Sequence, residues 1–182
     1  MSPDYRQIIL RQLLSNLVQK PKVFVSYHHA NDQVYYDQFS ALFSEVYDII
    51  TDRSVDRIFR SNDVQYQRAR IRKKYIKGTS LTVVLCGTES WKRKFIDWEI
   101  CATLNMRHAL LGIVLPSQPR NRWNQYWWPD RLSDNLRTGY AHWIYWTEDP
   151  DTLKVAIDAA RLRSRKTNLI DNSRPTMKRN LP

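Results

Sequence analysis

The chain has 182 residues and a formal net charge of +11, with 42% hydrophobic and 26% charged residues. This length fits one domain with a full hydrophobic core, and the apolar content excludes a disordered chain. Its two cysteines, Cys86 and Cys101, are too few for a disulfide scaffold and favour a reducing compartment. No signal-peptide core and no apolar run of bilayer length is present, so we expect a cytoplasmic protein without membrane contact.

The positive charge is concentrated in two segments. Residues 53–77 hold nine Lys/Arg against two Asp, and residues 161–182 hold seven against one. Such patches attract polyanions, but a solvated helix face and a tail produce the same pattern. Because no zinc knuckle, aromatic RNA-binding motif or heptad-linked basic region accompanies them, we do not expect nucleic acid as a partner.

Strands and helices alternate along the chain. Apolar periodicity predicts an amphipathic helix over 5–19, which Pro21 ends. Strands are predicted at 22–27, 47–50, 81–86, 110–115 and 143–146. Helices are predicted after a cap at Asn31 or Asp32, at 63–76, at 95–106 and from Pro150 to about Arg163. The stretch 116–140 shows little periodicity and is interpreted as a long, ordered, aromatic-rich connection.

This alternation predicts an α/β fold with helices on both faces of a parallel sheet. We expect a flavodoxin-like three-layer arrangement of five strands in the order 2-1-3-4-5, plus the extra N-terminal helix. The chain then divides into the helix at 1–20, a domain at 21–163 and a basic flexible tail at 164–182.

Several kinds of site are excluded by the residues present. The four glycines build neither a Walker loop nor a G-x-G-x-x-G turn. The four histidines lack the spacing of metal ligands, and no nucleophile elbow is present. We therefore expect no metal and no tightly bound cofactor.

In an open parallel sheet, ligands bind beyond the carboxyl ends of the strands. The polar and aromatic residues expected there are Ser26, Tyr27, His28, Asp52, Arg53, Thr88, Glu89 and Trp91. On the helix that follows the third strand, Phe95 and Glu99 are four residues apart and share one flank of the core-facing arc. An aromatic rim would partly desolvate Glu99 there, although an isolated glutamate of this kind is more often a surface residue paired with Lys or Arg.

The segment 83–91, followed by 95–100, resembles the signature of TIR (Toll/interleukin receptor) domains: a buried strand, a short loop and a Trp-Cys-x-x-Glu-Leu helix start. Phe95 takes the tryptophan place and Glu99 the glutamate place. Segments 22–27 and 73–80 also look like parts of this family. Segments 128–135 and 139–141 resemble the bacterial branch that includes the signalling protein of Thoeris anti-phage systems. The resemblance covers roughly residues 22–160.

The resemblance implies that Glu99 is the catalytic residue of an NAD⁺-cleaving enzyme, an NAD⁺ nucleosidase or ADP-ribosyl cyclase. In that family the glutamate acts on the ribose next to nicotinamide, where it stabilises an oxocarbenium-like state. Residues expected to bind NAD⁺ are Phe24, Ser26, Tyr27, His28, Asp52, Arg53, Trp91 and Phe95. The aromatics Phe24, Tyr27 and Trp91 are expected to stack on the bases, and Arg53 to meet the pyrophosphate.

Two departures from the family pattern concern the ligand side. Phe95 replaces the usual tryptophan, and the loop after the second strand lacks the Gly/Pro pattern of adaptor TIR domains, which leaves the assignment of Asp52 and Arg53 open. The expected function is production of an ADP-ribose-type signal, linear or cyclic, in anti-phage defence. Expected partners are NAD⁺ as substrate, further copies of the chain and a downstream effector that responds to the product.

Two other functions fit the same residues. A non-catalytic TIR-like module would assemble through its helices. A nucleoside deoxyribosyltransferase-like enzyme would also place a glutamate near a ribose.

Overall fold

A computed structural model of the chain describes residues 20–51 and 76–182. Several predictions fall outside the described residues: nearly all of the N-terminal helix at 1–20, the candidate ligand residues Asp52 and Arg53, and nearly all of the helix at 63–76. Those predictions are therefore not tested by the structure.

The described residues form a five-stranded sheet in the order β2-β1-β3-β4-β5, with every neighbouring pair parallel. Its strands are β1 (Lys22–Ser26), β2 (Asp48–Ile50), β3 (Leu81–Cys86), β4 (Ala109–Val114) and β5 (His142–Tyr145). This order and the central place of β3 confirm the predicted fold class. Every residue of β3 and β4 is buried, as expected for apolar strands covered on both faces.

Helices cover both faces of this sheet. They are α1 (His29–Phe43), α2 (Lys94–Asn105), α3 (Asp130–Thr138) and α4 (Pro150–Ser164), with short 3-10 turns at Ser90–Lys92 and Thr167–Leu169. The helices α1 and α4 pack on one face through residues such as Phe39 and Ile157. The helices α2 and α3 pack on the other through Ile96, Ile100 and Leu132. Alternate side chains of β3 enter the two cores, which is the period-2 pattern of a strand.

Two local predictions are wrong. The ordered stretch 116–140 is not only a connection, because it contains the helix α3, which ends at Gly139 with a left-handed φ of 83°. Its nine residues offer too few apolar positions for a clear helical period. In addition, α1 begins at His29, so neither Asn31 nor Asp32 caps it. Asp32 lies in the first turn and is fully buried.

Residues 165–182, the C-terminal segment, lie across α3 and α2, and the flexibility expected of the tail at 164–182 stays a prediction. Arg174 forms ion pairs with Asp130 and Asp134 of α3. Further along, the Met177 amide donates to Asp97 of α2 at 2.8 Å. Carboxylates on the helices thus provide partners for the basic and backbone groups of the segment, a long-range pairing that composition does not reveal.

Among the described residues, no helix combines the length and the apolar character that crossing a membrane requires.

Candidate active site

The packing of α2 places Glu99 at the end of the first strand. Ile96, Ile100 and Leu104 follow the helical period and are buried against the sheet. Glu99, on the flank of that apolar arc, is only 5% exposed. The hydroxyl of Ser26, the last residue of β1, donates a hydrogen bond to Oε2 of Glu99 at 2.5 Å. Two residues far apart in sequence therefore meet at the carboxyl edge of the sheet, where ligands of such folds bind.

A cavity of about 50 Å³ lies beside this pair. Its described walls are Tyr27, His28, His29, Arg93, Phe95, Ile96, Glu99 and Asn180. These residues come from the loop after β1, the start of α2 and the C-terminal segment. The cavity thus combines one carboxylate with basic, aromatic and amide side chains, a set suited to a polar ligand that carries aromatic rings.

Aromatic contacts stabilise the positions of two wall residues. Tyr27 stacks on Tyr36 of α1 with ring centroids 4.5 Å apart, and its hydroxyl donates to Gln33 at 2.9 Å. Phe95 meets Trp98 edge to face at 5.2 Å. Because rings in such contacts are restrained, the aromatic walls are organised by the protein itself.

The loop before α2 carries a second carboxylate in a different setting. Glu89 forms ion pairs with Arg93 and Lys92. Burial alone would raise the pKa of Glu89, but the charge of Arg93, that of Lys92 and the hydrogen bond from Arg93 outweigh it and lower that pKa. Glu89 therefore neutralises Arg93, which lines the cavity, and the neighbouring Lys92.

Asp32 lies close to this loop, against Gly87. A Cβ on Gly87 would overlap the Asp32 carboxylate, so a residue without a side chain is required at this close approach. Burial raises the pKa of Asp32 to about 6, the nearby backbone of His28 opposes this shift, and the charge of Glu89 adds to it. Burial of Asp32 thus moves the midpoint of its protonation from 3.8 to about 6.

Comparison with protein families identifies the domain. Residues 24–120 match the family model described as Thoeris protein ThsB, TIR-like domain, and the match spans more than half of the chain. The chain belongs to this family. The matched part contains Ser26 and Glu99, so both residues of the central contact lie inside the TIR-like domain.

Among solved structures, the TIR-like domain is similar to the TIR domains in a structure of the activated Roq1 resistosome directly recognizing the pathogen effector XopQ. The identity is 14% and the TM-score 0.39, with 84% of this chain and 93% of that chain covered. No curated protein matches the chain.

The structure brings five of the predicted site residues together. Ser26 contacts Glu99, and Tyr27, His28, Phe95 and Glu99 line the cavity. Their common location follows from the parallel sheet, because the end of β1 and the start of α2 after β3 lie at the same edge.

Two predicted ligand residues lie elsewhere. Phe24 is fully buried in a core cluster with Ile76, Trp98 and Ala102, so its ring packs inside the protein and does not face the cavity. Trp91 is not among the described cavity walls and stacks on Trp127 at 4.9 Å. In both cases an aromatic neighbour within the protein takes the contact that we expected from a nucleotide base.

Four wall residues were missed by the sequence reasoning: His29, Arg93, Ile96 and Asn180. The first three are adjacent to predicted site residues in the chain, so widening each motif by one or two positions would have found them. Asn180 lies in the C-terminal segment, and no local pattern places it near Glu99.

Within the described ranges, 20–51 and 76–182, no three His, Cys, Asp or Glu side chains are grouped in a way that would hold a metal ion.

Proposed function

We propose that this TIR-like domain cleaves NAD⁺ between nicotinamide and ribose, with Glu99 as the catalytic carboxylate. The observation that carries the proposal is the placement of Glu99. It is a 5% exposed carboxylate at the carboxyl edge of the sheet, held by Ser26, and it lies within the residues that match the family model, at the position where the sequence resembles the glutamate of the TIR signature. The same proposal includes a role for the product, which is an ADP-ribose-type nucleotide that acts as a signal in anti-phage defence.

Cleavage of this bond requires a group that stabilises positive charge on the ribose. As the bond between C1′ and the nicotinamide nitrogen breaks, its electron pair moves to that nitrogen and nicotinamide leaves as a neutral molecule. Positive charge then develops at C1′ and the ring oxygen. A buried carboxylate stabilises this charge more strongly than one in water, because the local dielectric constant is lower.

The acceptor completes the reaction in one of two ways. Water adds to C1′ and loses a proton, which gives ADP-ribose. Alternatively, a nitrogen of the substrate's own adenine adds and gives a cyclic product. The cavity walls support binding of such a substrate, since Phe95 and Tyr27 offer ring faces and edges.

The hydroxyl of Ser26 supports the proposed role of Glu99. A hydroxyl donor orients a carboxylate without adding a positive charge beside it. This hydrogen bond therefore fixes the orientation of the carboxylate whose negative charge is needed in the transition state. Ser26 is 1% exposed, so water competes little for the hydrogen bond.

Assembly and signalling form the wider part of the proposal. Several large apolar side chains are exposed, among them Trp123 at 62%, Val155 at 69% and Leu162 at 61%. Exposed side chains of this size favour contacts with other proteins, and we propose further copies of the chain as the partner. The released nucleotide would act on a separate effector.

Nicotinamide release tests the proposal. Purified protein is incubated with NAD⁺, products are separated by chromatography, and mass spectrometry assigns a linear or cyclic product. The same assay is repeated with extracts of phage-infected cells that express the protein, because the protein in these extracts has been exposed to any activator that infection produces. Nicotinamide release is expected, and its absence under both conditions contradicts the proposal and favours the non-catalytic module. Exchange of bases on a deoxynucleoside without NAD⁺ cleavage favours the deoxyribosyltransferase-like alternative.

A further inference from the structure

The cavity beside Glu99 is too small for the proposed substrate. Its volume is about 50 Å³, whereas sites for small organic ligands measure roughly 300–1,000 Å³. A cavity of this size holds only one or two water molecules. The described walls around Glu99 therefore leave too little space for a dinucleotide, and we expect one of them to move before a dinucleotide binds.

One wall is attached less firmly than the rest. Residues 178–182 contribute Asn180 to the cavity and contact the start of α2. The Asn180 side-chain oxygen accepts from the Lys94 amide at 3.0 Å, and the Leu181 amide donates to the Lys92 carbonyl at 2.9 Å. All five residues are exposed, so water competes for these hydrogen bonds.

The part of the C-terminal segment just before this wall is anchored by buried groups. Trp98 donates from its indole nitrogen to the Met177 carbonyl at 2.8 Å, and the Met177 amide donates to Asp97 at 2.8 Å. Both Asp97 and Trp98 are nearly inaccessible to solvent. A boundary between firm and weak attachment thus lies after Met177, and residues beyond it separate from α2 at low cost.

We propose that residues 178–182 form a displaceable wall of the Glu99 site, which covers the cavity at rest and swings away from α2 to admit the nucleotide. This inference rests on the proposed function for the identity of the ligand. The wall lowers the apparent affinity for NAD⁺ by the fraction of molecules in which it is open. It also limits the access of bulk water to the carboxylate until substrate is present.

Binding of NAD⁺ to two matched proteins tests the proposal. Both carry Glu99→Gln so that NAD⁺ is not consumed, and one lacks residues 178–182. If the wall is open in a tenth of the molecules or fewer, the shortened protein binds NAD⁺ about tenfold more tightly or better by calorimetry. Leu181→Pro, which removes the donor to Lys92, shifts the affinity in the same direction. Lys154→Ala, an exposed change on α4 outside the cavity lining, leaves it unchanged. An equal or weaker affinity of the shortened protein overturns the proposal.

Hydrogen exchange followed by NMR gives a second measurement that does not need ligand. In the full chain, the Lys94 and Leu181 amides exchange at least about tenfold faster than the Met177 amide, because only the wall opens. Equal protection at all three amides overturns the displaceable wall. If neither protein binds NAD⁺, the proposed function fails, and the exchange rates alone then support or overturn the wall.

Discussion

The two flanks of helix α2 carry buried carboxylates in opposite circumstances. On one flank, Asp97 accepts from the Arg131 guanidinium and from the Met177 amide, both at 2.8 Å. On the other, Glu99 accepts from the Ser26 hydroxyl and borders the cavity. The two residues are 4% and 5% exposed, so burial does not distinguish them.

The partners and the neighbouring space distinguish the two flanks. Asp97 is compensated by a buried cation and connects α2 to α3 and the C-terminal segment, which is a structural arrangement. Glu99 faces a cavity with aromatic and basic walls, which is an arrangement that offers its charge to a ligand. Equal burial on one helix thus yields a structural carboxylate and a candidate catalytic one, and the environment of each decides which.

The largest expected effect concerns stability on the structural flank. Asp97→Ala leaves Arg131, which is 1% exposed, without its buried counter-charge. Removing one partner of a buried pair costs about 3–5 kcal/mol of unfolding free energy. Urea denaturation of Asp97→Ala and Glu99→Gln is the measurement, and Glu99→Gln is expected to lose less than about 1 kcal/mol. Equal losses in the two variants would remove the distinction between the flanks.

A third buried carboxylate, that of Asp32, differs from those of Asp97 and Glu99. Within the described structure its carboxylate oxygens accept no hydrogen bond. Its pKa is raised from 3.8 to about 6. The folded state then binds more protons than the unfolded state between these values, so stability falls as the pH rises from about 4 to about 6. Above that window the cost of an ionised Asp32 is fully present.

Asp32→Asn removes this cost while keeping the shape of the side chain. The variant is expected to be more stable than the parent at pH 7, by up to about 3 kcal/mol, because each pKa unit corresponds to about 1.4 kcal/mol. The advantage disappears near pH 4, where Asp32 in the parent is neutral. Urea denaturation at both pH values measures the difference. A variant less stable than the parent at pH 7 would show that the carboxylate charge is stabilised by its surroundings.

The smallest effect is expected from the hydroxyl that orients Glu99. Ser26→Ala removes one hydrogen bond, worth about 1 kcal/mol, and turnover of NAD⁺ should fall roughly five- to tenfold with little change in KM. Thr82→Val is the control, because it removes a buried hydroxyl contact with Thr103 at 2.7 Å elsewhere on the sheet. Loss of activity in both variants, with equal loss of stability, would argue that Ser26 has only a structural role.

The sheet and the flank of α2 that carries Glu99 could be predicted from sequence, because the patterns that indicate them lie within short segments of the chain. The apolar runs of β3 and β4 predict buried parallel strands, and the spacing of Phe95 and Glu99 places both on one side of a helix. Ligands of parallel sheets bind beyond the carboxyl ends of the strands. This rule predicts that Ser26, Tyr27 and His28 lie at the same edge of the sheet as Glu99.

The C-terminal segment was not accessible in the same way. Its basic composition is equally consistent with a solvated tail, and its position depends on Asp97 and Asp134, which lie on helices far away in sequence. Phe24 illustrates the converse error. An aromatic residue near a strand end fits a ligand contact or a core position, and only the packing against Trp98 and Ile76 decides between them.

The turnover number of Glu99→Gln at saturating NAD⁺ tests the central claim most directly. Loss of one electrostatic contact to the transition state costs about 3–4 kcal/mol, so we expect kcat to fall about a hundredfold or more while the fold and NAD⁺ binding are retained. The matched control Glu89→Gln, whose charge is already neutralised by Arg93 and Lys92, should keep most of the activity. A wild-type rate for Glu99→Gln, or an equal loss in both variants, would contradict the role assigned to Glu99.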